Sequence, residues 1–403
     1  DHRDLHSFPT RLSSDLTLLD TNMDAFIPAY FQALSSHMAS RVAPEVMLPA
    51  LVSGTRAMMA SEDPSRTLRE VFNEKFFPKL GVDGHELGAV IDKFYDEIFP
   101  SLGTLTGKRP EAADLVKWAF SKGYRVAVAT DPFFPRKATL HRLRFADLAP
   151  EAYDFALISS YETFHFTKSH PMYFAEFLGR LGWPEGPVLM VGNDAERDLA
   201  PARALGLPTF WVNGDAPKAE DPASTGRGSL SDLRAWLESV DVKTLEADFS
   251  SMSAILALMT STPATIASLL EEVSVSAWTS RPAPAEWALT EVLCHLRDTE
   301  REVNQPRLKR LLEETDPFIP SRNTDAWAEE RNYLSQDGRT AFSEFLAARL
   351  ETLATLKSLT EADWARKARH SIFGPTTLQE LVGFMSTHDR IHIQQIWKLI
   401  HPA

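Results

Sequence analysis

The sequence predicts two folded parts of different class: an α/β part with a parallel sheet, followed by an all-α four-helix bundle. Up to about residue 240, short apolar runs alternate with helical patterns, which is typical of a parallel α/β sheet. From about residue 250, long helical patterns follow one another with little strand signal. A chain of 403 residues has room for two or three such domains.

Four apolar runs in the first part are predicted to be buried parallel strands. They are Arg125–Thr130, Phe155–Ser159, Val188–Val191 and Thr209–Val212. Helical patterns lie between them, such as Glu111–Lys122, which ends at Gly123 as helices often do. Ser229–Ser239 is predicted to be a last helix of this part, which then spans about residues 17–240, and residues 241–249 are predicted to be a linker.

A helical stretch interrupts this alternation between about residues 23 and 105. Phe26, Tyr30 and Phe31 share one helical face there, and four other apolar residues share a second one. The stretch has no convincing strand pattern. We therefore predict a helical insertion after the first strand of the sheet.

Composition excludes several classes of protein. The chain has 55 acidic and 42 basic residues and a net charge of -13, so non-specific nucleic-acid binding is not expected. A single cysteine, Cys294, cannot form an internal disulfide and suits a reducing compartment. No apolar run approaches the roughly 18 residues of a membrane span, and no secretory signal opens the chain. We expect a cytoplasmic protein with neither nucleic-acid nor membrane partners.

Polar residues follow three of the predicted strands. Thr130 ends one strand, Lys168 follows the next, and Asp194 and Asp198 follow a third. Ligands collect at the carboxyl ends of the strands in open α/β sheets. A hydroxyl, an ammonium and two carboxylates suit a phosphate group and Mg²⁺. Asp194 and Asp198 have an alternative interpretation, in which they cap the helix that follows.

At these positions the chain resembles the haloacid dehalogenase (HAD) superfamily, over about residues 17–240. Thr130, Lys168 and the pair Asp194 and Asp198 match three family motifs, and Gly192–Gly206 is the most specific stretch. The resemblance implies a Rossmann-like sheet in which the insertion is a helical cap. It also implies a magnesium-dependent phosphohydrolase acting on a small phosphorylated metabolite. Thr130 and Lys168 would hold the phosphoryl oxygens, and Asp194 and Asp198 would hold Mg²⁺.

The first family motif, Asp-x-Asp-x-Thr, is altered. Counting back from Thr17 puts the general acid at Asp15 and places Ser13 where the nucleophilic aspartate belongs. A serine alcohol is far less ionised than a carboxylate at neutral pH. In a second register, Asp20 is the nucleophile after a short strand at residues 16–19, and Asn22 takes the acid's place. We favour the first register.

Residues 1–16 resemble a translated sequencing adapter. We therefore expect the natural coding sequence to start near Thr17, and we expect this copy to have lost its nucleophile while the natural gene encodes a competent enzyme. In the alternative, the HAD half is inactive, and the chain acts through its second half.

The second half carries three histidines on predicted helices. His388 and His392 lie at positions i and i+4, on one helical face, and His295 lies on another long helix. Three histidines with an open fourth position form a recognised metal site. The four predicted helices are Ser251–Val273, Trp287–Glu313, Thr340–Leu359 and Thr377–Ile400, the last with a capping box at Thr377 and Glu380.

The sequence around these histidines resembles the DinB-like family over about residues 250–403. The resemblance implies a four-helix bundle with His295, His388 and His392 as the ligands of Zn²⁺ or Ni²⁺. It also implies a possible homodimer through the bundle. Some relatives are thiol-dependent transferases, which makes that activity an alternative for this half.

Overall fold

A computed structural model describes residues 17–82, 84–212 and 223–402, which form two compact units. The first unit comprises the residues up to 174 together with 186–247, and the second comprises 175–185 with 248–403. Residues 175–185, which the sequence assigns to the first domain, group with the second unit. Trp183 explains this grouping, because its carbonyl accepts a hydrogen bond from Gln394 Nε2 (2.9 Å) and its ring packs against Phe249.

The helical insertion lies between two short antiparallel strands. The chain enters it through β1 (Leu19–Thr21) and leaves it through β2 (Thr106–Lys108), with Leu19 opposite Lys108. The helices between them are α1 (Met23–Met38), α2 (Pro44–Ala60), α3 (Leu68–Leu80) and α4 (Gly84–Lys93). Helices thus occupy the predicted insertion, whose role as a cap stays a prediction. Its aromatic core includes the edge-to-face rings of Phe26 and Phe99, 6.2 Å apart.

The rest of the first unit alternates helices with parallel strands. Its elements are α5 (Pro110–Ser121), α6 (Arg136–Phe145), the start of α7 (Pro171–Arg180), β3 (Met190–Gly192), α8 (Ala200–Leu205), β4 (Thr209–Val212), β5 (Gly226–Gly228) and α9 (Leu230–Ser239). The residues of α7 from 175 onward group with the second unit. Strands β3, β4 and β5 form one parallel sheet in that order. The predicted α/β class is therefore confirmed, and β4 has the predicted bounds.

Three strand predictions need correction. Arg125–Thr130 and Phe155–Ser159 pair in parallel as expected, but they form only one isolated bridge, between Val128 and Ile158. A few backbone hydrogen bonds hold this pairing, such as Val128 N–H to the Leu157 carbonyl (2.8 Å), so the ladder is too short for regular strands. The strand expected at residues 16–19 is instead β1, which pairs with β2 rather than with the parallel sheet.

The second unit is a four-helix bundle, as predicted. The first helix is α10 (Met252–Leu270), and the second is α11 (Leu289–Thr299), which continues through a π-turn at Glu300–Asn304 into α12 (Gln305–Glu313). The third and fourth helices are α14 (Gly338–Lys357) and α16 (Leu378–Ile400). Two short helices lie in the connections: α13 (Trp327–Glu330) precedes α14, and α15 (Glu361–Trp364) precedes α16. Thr377 and Glu380 form the predicted capping box at the start of α16.

A small sheet in the second unit was not predicted. It consists of β6 (Phe318–Ile319), β7 (Lys367–His370) and β8 (Gly374–Thr377); β6 pairs parallel to β7, and β7 pairs antiparallel to β8. These strands have only two to four residues. The strand β6 is the apolar pair Phe318–Ile319, and β7 and β8 contain few apolar residues, so none shows the longer alternating pattern that indicates a strand.

Helix α10 corrects one expectation about apolar runs. Over its 19 residues it is long and apolar enough to cross a membrane. However, 78% of its most apolar window is buried inside the protein, as expected of a core helix in a bundle. It is the one such helix in the part of the chain that the structure describes.

Candidate functional sites

The first candidate site has a fully buried ion pair at its centre. Lys168 Nζ lies 2.9 Å from Asp198 Oδ1, and neither side chain is exposed. The other carboxylate oxygen of Asp198 accepts hydrogen bonds from the backbone N–H groups of Asn193 (2.9 Å) and Asp194 (3.1 Å). Burial raises the pKa of Asp198, and the Lys168 charge opposes that shift. Buried ions are tolerated when they are paired and hydrogen-bonded in this way.

Asp194 holds the turn that follows β3. Its Oδ1 accepts hydrogen bonds from the N–H groups of Glu196 (3.0 Å) and Arg197 (3.1 Å) at the start of a π-turn. The helix-capping interpretation is therefore correct for Asp194. The same turn keeps it close to Asp198, whose Oδ2 accepts the hydrogen bond from the Asp194 N–H (3.1 Å). The predicted acidic pair is thus brought together.

Thr130 is linked to the same site through the next residue, Asp131. The backbone N–H of buried Thr130 donates to Ser159 Oγ (3.0 Å), and its carbonyl accepts from Tyr173 Oη (2.8 Å). Asp131 Oδ1 accepts a hydrogen bond from the Lys168 N–H (3.2 Å) and so joins this segment to the lysine loop. Burial raises the pKa of Asp131 to about 6.

The structure distinguishes the two registers of the first motif. Thr17 Oγ1 donates to Asn193 Oδ1 (2.8 Å), which places Thr17 beside the turn that carries Asp194 and Asp198. Asp20 lies on β1, where its side chain is 69% exposed and 3.9 Å from Arg109. It is therefore not part of the buried cluster, and its assignment as the nucleophile is not supported. Asp15 and Ser13, the residues of the favoured register, lie outside the described residues.

The second candidate site is formed by the three predicted histidines. His388 Nε2 lies 3.0 Å from His295 Nε2 and 3.1 Å from His392 Nε2. The ligand atoms of all three lie within 4.8 Å of one another. His388 and His392 are one turn apart on α16, and His295 projects from α11. Trp287 closes one side, with its ring stacked on that of His392 at 6.0 Å and 8°.

The electrostatics of this triad favour a bound cation. Burial lowers the pKa of His295 to about 2 and that of His388 and His392 to about 4, so all three rings are neutral at neutral pH. The neutral ring is the form that ligates metals. His392 Nδ1 is 3.0 Å from Gln395 Oε1, and a proton donated there leaves Nε2 as the ligand atom. Three imidazoles are a suitable donor set for Zn²⁺ or Ni²⁺.

A buried ion network lies beside the triad. Arg349 donates to Glu300 through Nε (3.0 Å) and Nη2 (2.9 Å), and it donates through Nη1 and Nη2 to Asp389. Thr262 Oγ1 also donates to Asp389 (2.9 Å). The network therefore joins α10, α14 and α16 to the π-turn after α11. It carries two carboxylates and one guanidinium, and the Arg349 charge adds to burial in lowering the pKa of His388, which keeps that ring neutral.

Sequence patterns did not indicate Arg349. A usable signal exists, because the arginine occupies a buried helical face that also carries Phe345 and Thr352. A charged residue on such a face requires a partner.

Two parts of the chain match family models. Residues 17–206 match the family model of the haloacid dehalogenase-like hydrolases. Residues 258–396 match the model of the DinB superfamily. The chain thus joins a HAD-like hydrolase domain to a DinB-like domain, and both resemblances seen in the sequence are confirmed.

Several individual proteins are similar to parts of the chain. The uncharacterized protein YuaE of Bacillus subtilis is 24% identical over 127 residues, which cover 29% of this chain and 78% of YuaE. YfiT from Bacillus subtilis is described as a probable metal-dependent hydrolase with an unusual four-helix bundle topology. The match to its structure covers 38% of this chain and 88% of YfiT, with 21% identity and a TM-score of 0.35. A HAD phosphatase from Thermococcus onnurineus covers 55% of this chain and 91% of its own, with 18% identity and a TM-score of 0.34.

Proposed function

We propose that the first unit is a magnesium-dependent phosphohydrolase site for a small phosphorylated metabolite, and that this copy lacks its nucleophile. The observation that carries the proposal is the buried Lys168–Asp198 pair, held by the backbone of the turn that bears Asp194. It brings an ammonium and two carboxylates together, which are the groups that phosphate and Mg²⁺ need.

Each residue of this site has a proposed role. Lys168 neutralises the phosphoryl oxygens, and Thr130 donates a hydrogen bond to them. Asp194 and Asp198 hold Mg²⁺, which would stabilise the charge that develops on the phosphoryl group. Asp15 is the proposed general acid, and Ser13 occupies the position of the nucleophile. The cap selects the substrate and excludes water.

A phosphatase assay with and without Mg²⁺ tests this proposal. The chain as written is expected to be inactive, and a Ser13→Asp version with a restored apolar strand is expected to gain magnesium-dependent activity. Adding Lys168→Met to that version should abolish the gain. Full activity of the chain as written would contradict the loss of the nucleophile. Inactivity of the repaired version would instead favour an inactive HAD half.

We propose for the second unit a divalent-metal site, with Zn²⁺ or Ni²⁺ held by His295, His388 and His392. The convergence of three neutral imidazoles favours it. A thiol-dependent transferase remains the alternative activity of this half. Burial raises the pKa of the Cys294 thiol to about 11, so any such reaction would use a thiol from outside the chain.

Metal analysis tests the second site. The purified wild type should carry about one Zn²⁺ or Ni²⁺ per chain, and His388→Ala and His392→Ala should each lose it. Metal content unchanged by both substitutions would reject the triad. Homodimerisation through the bundle and a cytoplasmic location stay predictions from the sequence.

A further inference from the structure

A cavity of about 210 Å³ opens beside the histidine triad. His388, one of the three proposed ligands, is part of its lining. The walls come from the π-turn and α12, from α16, and from the small sheet that the sequence did not reveal. The volume is below the roughly 300–1,000 Å³ of pockets for drug-sized ligands, so the cavity suits a smaller molecule.

The charged residues that line this cavity are two arginines. Arg307, Arg322 and His370 line it, and no carboxylate is among its lining residues in the described part of the chain. Arg322 already has partners, since it lies over the Trp327 ring and 3.9 Å from a Glu302 oxygen. Arg307 differs, because among the described residues its guanidinium donates only to the Pro320 carbonyl, 3.0 Å from Nη2.

His370 adds a second donor. Its Nδ1 accepts the N–H groups of Ile372 (3.3 Å) and Phe373 (3.4 Å), so the proton of the neutral ring is on Nε2. The ring is buried, and Arg307 lies close enough for its charge to help burial lower the pKa of His370. A guanidinium and an imidazole N–H in one cavity are donors that an anion would accept from.

The apolar lining of the cavity gives the ligand a second property. Phe373 and Phe384 are stacked with ring centroids 3.9 Å apart, and both are about half exposed. Leu381 and Met385 extend this surface along α16 toward His388. Exposed aromatic rings beside a cationic cavity favour a ligand with an apolar body and one anionic end.

We propose that this cavity binds a small aromatic or aliphatic carboxylic acid, with its carboxylate on Arg307 and His370 and its apolar part against Phe373 and Phe384. The proposal rests on the metal site proposed above, because His388 belongs to both, and it names the class of ligand for that site. Arg307 makes the cavity specific for a carboxylate, because its planar guanidinium can donate to both carboxylate oxygens.

Binding of benzoate to the Zn²⁺-loaded protein, measured by titration calorimetry, tests the proposal. Wild type should bind benzoate saturably, and Arg307→Met should weaken that binding tenfold or more while metal content stays unchanged. Arg310→Met is the matched control: Arg310 is also on α12, but it pairs with Glu314 and does not line the cavity. It should bind benzoate as wild type does. Inorganic phosphate, which lacks an apolar part, should compete poorly.

Three results would overturn the proposal: no saturable benzoate binding by metal-loaded wild type, equal binding by Arg307→Met, or equal binding of benzyl alcohol, which lacks the charge. Phe384→Ala gives a second test, because it should weaken benzoate more than acetate. If the wild type holds no metal, the proposed metal site is rejected. The dependence of benzoate binding on Arg307 still tests whether the cavity binds a carboxylate.

Discussion

Each of the two units contains a buried polar cluster, and the cost of burying polar groups is offset differently in the two. In the first unit, Lys168 and Asp198 carry opposite charges 2.9 Å apart and neutralise each other. In the second, three neutral imidazoles converge on their Nε2 atoms, and the network beside them has an excess of one negative charge. The charges of the Lys168–Asp198 pair are compensated within the chain, whereas the metal site proposed for the second unit would take its positive charge from a bound ion.

The largest effect should come from removing Arg349. Arg349→Met would leave Glu300 and Asp389 buried without their counter-charge, and breaking a buried pair costs about 3–5 kcal/mol. We expect a loss of at least that size in the free energy of unfolding of the second unit, measured by urea denaturation. Arg310→Met removes an exposed pair and should cost less than about 1 kcal/mol. Equal losses in the two variants would show that the network does not stabilise the bundle.

A smaller loss is expected when the pair of the first unit is broken. Lys168→Met removes one partner and should cost about 3 kcal/mol of unfolding free energy, because Asp198 is left buried without its ammonium. The double variant Lys168→Met/Asp198→Asn should recover part of that loss, because the remaining groups are neutral. If the double variant is no more stable than Lys168→Met, the cost does not arise from the uncompensated charge.

The smallest expected effect concerns the pH dependence of the unfolding free energy, which should have opposite signs for His392 and Asp131. The pKa of His392 is lowered to about 4 from 6.5, so the unfolded chain binds more protons between these values and stability falls as pH falls. The pKa of Asp131 is raised to about 6 from 3.8, so there the folded chain binds more protons and stability rises as pH falls.

Metal-free unfolding free energies between pH 6 and 5 measure this difference. Relative to His392→Gln, the wild type should lose up to about 1.4 kcal/mol per pH unit; relative to Asp131→Asn, it should gain a similar amount. Slopes of the same sign in both comparisons would contradict the opposite protonation behaviour of the two sites.

Local sequence patterns explain why much of the bundle was predictable. Helical periodicity and the capping box of Thr377 and Glu380 located α16, and the spacing of His388 and His392 placed both rings on one face. The third histidine of the triad, His295, is 93 residues from His388, and only the family resemblance linked them.

Features that depend on distant partners were less accessible to sequence patterns. The partners of Arg349 are 49 and 40 residues away, so its place on a helical face with Phe345 and Thr352 indicates burial but does not identify the two carboxylates that pair with it. The apolar run at Arg125–Thr130 was recognised, but its single-bridge pairing depends on backbone geometry and not on composition. No local sequence pattern indicated a role for Arg307. The cavity that it lines also depends on His370, which lies on a distant, short polar strand.

Helix α16 has adjacent residues with separate roles: His388 contributes to the triad, and Asp389 contributes to the ion network. Successive residues of an α-helix point about 100° apart, so one register serves both sites at once. A single inserted or deleted residue before His388 would turn both side chains away from their partners together. Length variation among related chains should therefore be confined to the connections around α16, and α16 itself should tolerate substitutions but not changes in length.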